Sequence, residues 1–402
     1  MIGNRKINLD EICIGLVLFT LPVSMKLNSI ILIITSAYFT YKILKVRTLK
    51  NIRFYGISIL FFAAQLLSFF LSVNNKEAEE KLILYLSFII FPFIFSYAQS
   101  NIKLEKFRLF KWLFYGIITV LIYGLIRFLY DIVVLDARYD YGRGVALFLK
   151  YIPHHIYFSM YVLISIYIVV LEFLENRKSK VLMIFVPVLF LSLILLSSRM
   201  AIALSILVLP PFIYYKLNHV INRRKAFIVI FSTVLLLTII GFSNKFARDR
   251  ILYTYYEITD MEISENPFSG ISFREKIWKG SIYLIKKSPW IGYGVGDTQR
   301  KLNDSYKSFG FEEVIWFNAH NQYLQLILHH GLLIVLLLFV MLFLLLKKLV
   351  KKKAHFVLFC WLIIGSFSLT ESILSRQWGV ILFAFVLNYS IYLAQDETKE
   401  II

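Results

Sequence analysis

Long apolar segments alternate with short polar ones along almost the whole chain. A transmembrane helix needs about 20 mostly apolar residues, and the apolar segments have that length. The pattern therefore predicts an all-α polytopic membrane protein with about twelve spans: residues 9–25, 27–44, 54–73, 82–98, 110–130, 152–172, 181–197, 200–216, 226–242, 319–346, 355–374 and 377–394.

The spacing of these spans divides the chain into three regions. Residues 1–242 hold spans one to nine, residues 243–318 form a long loop, and residues 319–402 hold spans ten to twelve. Most other loops are short, which predicts one integrated membrane domain. Because long ordered loops are usually functional, residues 243–318 are the first place to look for a site.

Composition and charge support a membrane protein and set its orientation. Of the 402 residues 59% are apolar and 17% are charged, which exceeds the apolar share of an ordinary soluble chain. With both termini inside, 24 lysines and arginines fall in inner segments and nine in short outer ones, Arg143 and Lys81 among the nine. The positive-inside rule then places the long loop outside. This asymmetry explains much of the +19 net charge without nucleic acid as a partner.

The long loop contains a basic amphipathic segment followed by a glycine-rich one. Residues 273–290, "FREKIWKGSIYLIKKSPW", suit either a helix lying in the membrane interface or a packed loop helix. In "PWIGYGVGDT", Gly292, Gly294 and Gly296 permit a tight turn whose N–H groups could cradle an anion. Ordinary loop geometry is the favoured interpretation of these glycines.

A histidine and an asparagine stand where the long loop meets span ten, in "AHNQYLQLILHHGLL" at residues 319–333. A catalyst that acts on a lipid-linked substrate belongs at this depth, which makes His320 and Asn321 candidates. The alternative is that His320 only caps the helix. His329 and His330 lie deeper and are predicted to make polar contacts inside the bundle, because no third metal ligand has a suitable spacing.

Arg199 is a second candidate, since it stands in "LLSSRMAIALSIL" with no acidic residue within ten positions. A charge at membrane depth costs about 2.5–3.5 kcal/mol and is a functional candidate by default, although Arg199 could instead snorkel to the headgroups. Guanidinium groups bind phosphate in a bidentate way. The long loop offers more of them, at Arg248, Arg250, Arg274 and Arg300, so an anionic lipid-like substrate is expected.

Metal and disulfide chemistry find little support in the sequence. Cys13 and Cys360 both lie in apolar spans, which leaves neither a disulfide framework nor a thiolate metal site. The only acidic cluster expected outside is Asp260, Glu262 and Glu265, for which a solvated charged stretch is the favoured interpretation. No metal site is predicted.

Three motifs resemble the O-antigen ligase family, a broad superfamily that also includes O-antigen polymerases and some protein O-oligosaccharyltransferases. They are "HNQYLQLILHHG", "SSRMAIAL" and "FREKIWKGSIYLIKKSPWIGYGVGD", and together they cover residues 197–334. One position departs from the ligase pattern: Ile334 stands where that pattern has Gly, Thr or Tyr. This departure weakens the choice of ligase over polymerase more than it weakens the resemblance to the family.

The resemblance implies a site and a reaction. His320, Arg274 and Arg199 would be the catalytic residues, with both arginines gripping a lipid pyrophosphate. Lys81, Asn321 and Arg143 would be further substrate-binding residues. The expected plan is similar to metal-independent membrane glycosyltransferases of the GT-C class, working without a cofactor and with inversion at the sugar.

The resemblance also implies the partners and the place. The donor would be an undecaprenyl-pyrophosphate-linked glycan and the acceptor a lipid A core sugar. The site would lie on the periplasmic face of the bacterial inner membrane, among membrane lipids. A polysaccharide polymerase, which joins lipid-linked repeat units, stays open as the alternative. A transporter is less favoured, because transporters place polar groups near the midplane and show repeated halves, whereas here polar groups cluster at the outer edge.

Overall fold

The structure is a computed structural model, and all regular structure in its described residues is helical. The described residues are 8–46, 51–102, 108–134, 150–175, 182–196, 198–217, 222–228 and 270–395, with isolated positions at 49, 104, 231, 232, 248 and 252. The chain forms two compact units, residues 1–38 with 102–250 and residues 39–101 with 251–402.

The first unit is built from apolar helices and contains Arg199. Its helices are α1 (Leu9–Thr20), the first part of α2 (Met25–Val46), α6 (Lys111–Val133), α7 (His155–Glu175), α8 (Phe185–Leu196), α9 (Arg199–Leu207) and α10 (Leu209–Leu217). Helix α7 is buried along most of its length and packs against α6, α8 and α10. Lys111 and Glu172 join α6 to α7 through an ion pair of 2.6 Å.

The second unit contains His320, Arg274 and Lys81. After the second part of α2 come α3 (Gly56–Phe70), α4 (Asn75–Leu84), α5 (Ser87–Asn101), α11 (Gly270–Lys287), α12 (Thr298–Ser308), α13 (Gln322–Lys351), α14 (His355–Ser368) and α15 (Gln377–Gln395). Aromatic rings fill the centre of this unit. Phe61 stacks on Phe88, and both contact Phe383 of α15.

The apolar segments of the sequence correspond to the helices. Eleven of the twelve predicted spans coincide with helices, while the ninth, residues 226–242, lies mostly outside the described residues. Within the described part of the chain, eight helical segments are long and apolar enough to cross a membrane: Met25–Val46, Ile52–Phe70, Asn75–Asn101, Lys111–Val133, His155–Glu175, Arg199–Leu217, Gln322–Lys351 and Gln377–Gln395. Leu182–Leu196 and His355–Ser368 are shorter apolar helices. The chain is a multi-pass membrane protein, and the total of twelve spans stays a prediction.

Helix α13 is broken at Gly331, which has φ 75° and ψ 168°. A broken helix exposes backbone groups that must find other partners. Here the segment after α11 supplies them: Leu332 N donates to the Pro289 carbonyl at 2.7 Å, and Tyr293 N donates to the Leu328 carbonyl at 2.8 Å. A Cβ at position 331 would collide with the Trp290 carbonyl oxygen. The predicted long loop is therefore joined to span ten, and its two described helices α11 and α12 pack together.

Candidate functional site

The N-terminus of α13 fixes the position of His320. Asn321 is the N-cap residue, and its Oδ1 accepts hydrogen bonds from the backbone N–H groups of Tyr323 and Leu324 at 3.0 and 3.1 Å. The Asn321 Nδ2 donates to the Leu369 carbonyl at 3.1 Å. Asn321 thus caps the helix and anchors it to the end of α14. His320 precedes it in the left-handed region, with φ 41°.

A buried carboxylate contacts the His320 ring. Nδ1 of His320 lies 3.4 Å from Oε2 of Glu371, and the two side chains are 22% and 6% exposed. The rings of Phe317 and Phe273 flank the imidazole, with centroids 5.7 and 6.4 Å away. Aromatic walls and one carboxylate therefore orient the ring while part of it stays accessible.

A polar cavity of about 300 Å³ lies beside His320 in the same unit. The side chains of Lys81 and Arg376 give it two cations, and Glu77 gives it one carboxylate. The remaining lining residues are Val295, Gln299, Asn318, Gln325, His329 and Ser375. A cavity with two cations and several amides suits an anionic, hydroxyl-rich group.

Two backbone hydrogen bonds, one from His320 and one from its neighbour Ala319, link this segment to the wall of the cavity. The His320 N–H donates to Oδ1 of Asn318 at 3.0 Å, and the Ala319 N–H donates to Oε1 of Gln325 at 2.9 Å. On the inner side, Nε2 of Gln325 and Nε2 of His329 are 2.7 Å apart. His329 and Gln325 are both buried, as the sequence predicted for His329, but His329 also lines the cavity.

The glycine-rich turn lines the cavity through Val295, and the N–H groups of residues 293–296 donate to protein acceptors. Val295 N and Gly296 N donate to the hydroxyls of Ser68 and Ser72 at 2.9 and 3.0 Å, and Gly294 N donates to the His329 carbonyl at 3.2 Å. These contacts join the turn to the end of α3 and to α13. They support the ordinary-loop interpretation of the three glycines over an anion cradle.

Asp297 locks the same turn to the start of α4. Its Oδ2 accepts from Val73 N at 2.6 Å, and its Oδ1 accepts from the Arg300 guanidinium at 3.0 Å. Burial alone would raise the pKa of the Asp297 carboxyl. The hydrogen bonds from Val73 and Arg300 outweigh that effect, so the pKa lies below its ordinary value. Arg300, a predicted phosphate-binding candidate, is thus engaged with Asp297.

An apolar groove of about 380 Å³ runs along α13 below His320. It begins at Gln322 and Tyr323, directly after the capped end of the helix, and extends to Leu346. Helices α14 and α15 supply the other wall, with Trp361 and Phe383 among the lining residues. The groove gives a hydrocarbon chain a path from the bundle surface to the His320 end of α13.

The other predicted residues lie in different places. Arg274, on α11, lines a surface groove with Trp278, while the preceding residue Phe273 contacts His320. Arg199 is the first residue of α9 in the first unit, where Ser198 caps the helix, so its approach to His320 stays a prediction. Several candidates lie outside the described residues, namely Arg143, Arg250, Asp260, Glu262 and Glu265.

No group of three histidine, cysteine or acidic side chains is placed to hold a metal ion in the part of the chain that the structure describes. Glu371 and His329 were not predicted as site residues, and Arg376 entered only as one of the nine charges in short outer segments. The signal for Glu371 was an acidic residue inside the predicted span 355–374, and the signal for Arg376 was a single charge in the gap before the next span.

Residues 181–340 match the family model described as O-antigen ligase. This part of the chain is similar to the O-antigen ligase family. Members of this family are membrane glycosyltransferase-like enzymes, either ligases or polymerases. No curated protein matches the chain.

The O-antigen ligase match covers part of the site. It includes Arg199, Arg274, His320 and His329, and it ends before Glu371 and Arg376. Lys81 also lies outside it. The resemblance carried by the three motifs is confirmed over residues 181–340. Glu371 and Arg376 are assigned to the site by geometry alone, whereas Lys81 was also implied by the resemblance.

Proposed function

We propose that the chain is an O-antigen ligase that moves a glycan from undecaprenyl pyrophosphate to a lipid A core sugar. The reaction is proposed to take place on the periplasmic face of the bacterial inner membrane. One observation carries the proposal: the His320–Glu371 pair stands beside a cavity with two cations, Lys81 and Arg376. A proton acceptor next to a cationic cavity is what glycosyl transfer from a lipid pyrophosphate requires.

His320 is the proposed general base. A carboxylate at Nδ1 favours the tautomer that carries its proton there, which leaves Nε2 to accept a proton from the acceptor hydroxyl. Glu371 also stabilises the imidazolium that forms, as the carboxylate of a catalytic triad does. Glu371 is therefore a positioning residue that acts through His320.

The leaving group is the lipid pyrophosphate, and its growing charge needs cations. Lys81 and Arg376 line the cavity beside the base, where fixed positive charges can stabilise the charge that develops on the leaving group. Arg274 and Arg199 are proposed to complete the set, as the family resemblance implies. Since side chains supply the positive charge, the proposed reaction uses neither a metal nor a cofactor.

The proposed donor supplies the energy of the reaction through its sugar–pyrophosphate bond, and its polyprenyl chain anchors it in the membrane. The sugar–pyrophosphate bond is already activated, so the acceptor oxygen forms the new bond as the pyrophosphate departs with the electron pair of the broken one. Attack from the face opposite the pyrophosphate inverts the anomeric centre. The apolar groove along α13 is proposed to hold the polyprenyl chain, because it leads to the His320 end of the helix.

A polymerase that joins lipid-linked repeat units is the second candidate. It uses the same donor chemistry, fits the same family match, and is favoured by Ile334, where the ligase pattern differs. Only the acceptor separates the two proposals. A GT-C-like arrangement is proposed for either enzyme.

The deciding experiment offers purified protein one donor and two acceptors. The donor is a polyprenyl-pyrophosphate-linked glycan in detergent, and the acceptors are lipid A core and a second lipid-linked repeat unit. A ligase glycosylates lipid A core, whereas a polymerase extends the lipid-linked unit. Product on neither acceptor, with correctly folded protein, would rule out both. Any transfer in detergent, where no second compartment exists, excludes a pure transporter.

A further inference from the structure

Helix α11 has one buried face and one exposed, mostly charged face. Ile277, Ser281 and Leu284 are buried at a spacing of one helical turn and pack in the unit. The outward stripe follows the same spacing and is formed by Glu275, Lys279, Ile282 and Lys286. Two lysines thus flank an isoleucine that is 43% exposed.

An open groove of about 710 Å³ follows this outward stripe. Its walls are apolar and aromatic, with Trp278, Tyr283 and Phe309 beside Ile282. Its charged lining residues are three cations and one carboxylate: Arg274, Lys279, Lys286 and Glu275. The groove therefore combines an apolar wall with a positive rim.

Contacts with neighbouring side chains distinguish the lysines that line the groove from those that are engaged elsewhere. Lys276 is paired with Glu313, and Lys287 lies over the Tyr283 ring, 4.3 Å from its centroid. Lys279 lies 5.3 Å from the centroid of Phe309, which holds it at the groove. Lys279 and Lys286 are the two lysines that line the groove.

The segment that follows the C-terminal end of α11 contacts α13 at the point where the uninterrupted apolar part of α13 begins. Pro289 bonds to Leu332, and from Leu332 to Leu346 every residue is apolar. Trp290 and Ile291, next to Pro289, are 57% and 63% exposed. Exposed tryptophan with lysines just above it is typical of the boundary between hydrocarbon and headgroups. From this pattern we expect the groove to start among the lipid headgroups.

We propose that this groove binds an anionic phospholipid of the adjoining leaflet. Lys279 and Lys286 contact the phosphate, while Ile282 and the Trp278 ring pack against the upper part of an acyl chain. Lipid binding at this groove would then account for the amphipathic pattern of α11. The proposal is independent of the acceptor used in catalysis, and it holds for a ligase or a polymerase alike.

Native mass spectrometry of the full chain in detergent tests the proposal, with phosphatidylglycerol and phosphatidylcholine as the two probes. We expect the wild type to retain phosphatidylglycerol at least about fivefold better. The double variant Lys279→Glu/Lys286→Glu should lose about tenfold or more in phosphatidylglycerol binding, since each lysine near an anionic lipid contributes roughly fivefold. The control Lys301→Glu/Lys307→Glu changes the charge equally on α12 and should bind like the wild type.

A second measurement locates the lipid and does not depend on charge reversal. Brominated phosphatidylglycerol should quench tryptophan fluorescence in the wild type, and Trp278→Phe should remove part of that quenching. Equal retention of the two lipids by the wild type would overturn the proposal. Equal losses in the two double variants, or quenching unchanged in Trp278→Phe, would overturn it as well.

Discussion

Nδ1 of His320 lies 3.4 Å from Oε2 of Glu371, although the two residues are 51 positions apart in the sequence. The contact joins the capped start of α13 to the segment that links α14 and α15. It gives the proposed base an orienting carboxylate that is almost completely buried.

Replacing Glu371 by Gln tests this orienting role. The variant keeps the shape of the side chain but loses the charge that holds the imidazole in its working tautomer, so kcat for glycan transfer should fall at least about 100-fold with little change in the donor KM. Steady-state kinetics with purified protein measure both constants. Glu312→Gln, an exposed carboxylate of the same unit, is the control and should behave like the wild type. A rise in KM with kcat unchanged would point to substrate binding by Glu371.

Replacing Arg376 tests whether the polar cavity holds the pyrophosphate. Arg376→Ala should weaken donor binding about 10- to 100-fold, because a charge-assisted hydrogen bond contributes roughly 1.5–3 kcal/mol. Arg376→Lys should bind with intermediate affinity, since it keeps the charge and loses the bidentate geometry.

Titration of a fluorescent lipid-pyrophosphate analogue gives these affinities. Lys81→Ala should also weaken binding, whereas Lys347→Ala, exposed at the other end of α13, should not. If Arg376→Ala and Lys81→Ala bind the analogue as the wild type does, the pyrophosphate occupies another place.

Gly331→Ala tests the break in α13. The φ of 75° and the collision of a Cβ with the Trp290 carbonyl should destabilise the protein by at least about 2 kcal/mol. Thermal unfolding in detergent should show a lower Tm. Gly56→Ala is the matched control, because a Cβ there has open space and alanine favours helix; its Tm should be equal or higher. Equal melting of both variants would mean that the break does not require glycine.

Asp297→Asn tests the contact between the glycine-rich turn and the start of α4. The folded state lowers the pKa of Asp297, so the carboxylate stabilises the protein above its unfolded pKa of about 3.9. That contribution is lost as the pH falls through the lower, folded-state pKa. The Tm difference between wild type and variant should therefore be largest near pH 7 and shrink toward pH 3. A difference that stays constant with pH would show that the charge of Asp297 is not involved.

The sequence predicted the helices well because hydrophobic length is a local property. The apolar run of residues 319–346 was placed correctly, but its break at Gly331 was not foreseen. A glycine inside an apolar run is tolerated in a membrane helix, and only contacts with Pro289 and Tyr293 reveal the break. The bonds from Ser68 and Ser72 to the glycine-rich turn join residues more than 220 positions apart, which no local pattern encodes.

The candidate site was predicted in part for a similar reason. His320 and Asn321 stood out because a motif carried them, and Asn321 proved to be the cap of α13 in addition to its proposed binding role. Arg376 is a single basic residue in a short loop, where such a charge usually reports orientation in the membrane, and Glu371 was included in the predicted span 355–374. Their relation to His320 and Lys81 depends on how α4, α13 and α15 pack. Arg199 and Arg143 remain predictions from the family resemblance.

The central claim is that His320 performs the proton transfer, and the most direct measurement compares chemistry with donor binding in one variant. His320→Ala should reduce single-turnover transfer from a defined polyprenyl-pyrophosphate-linked glycan at least about 100-fold, while it still binds the lipid-pyrophosphate analogue with wild-type affinity. Transfer by folded His320→Ala at the wild-type rate would contradict the account.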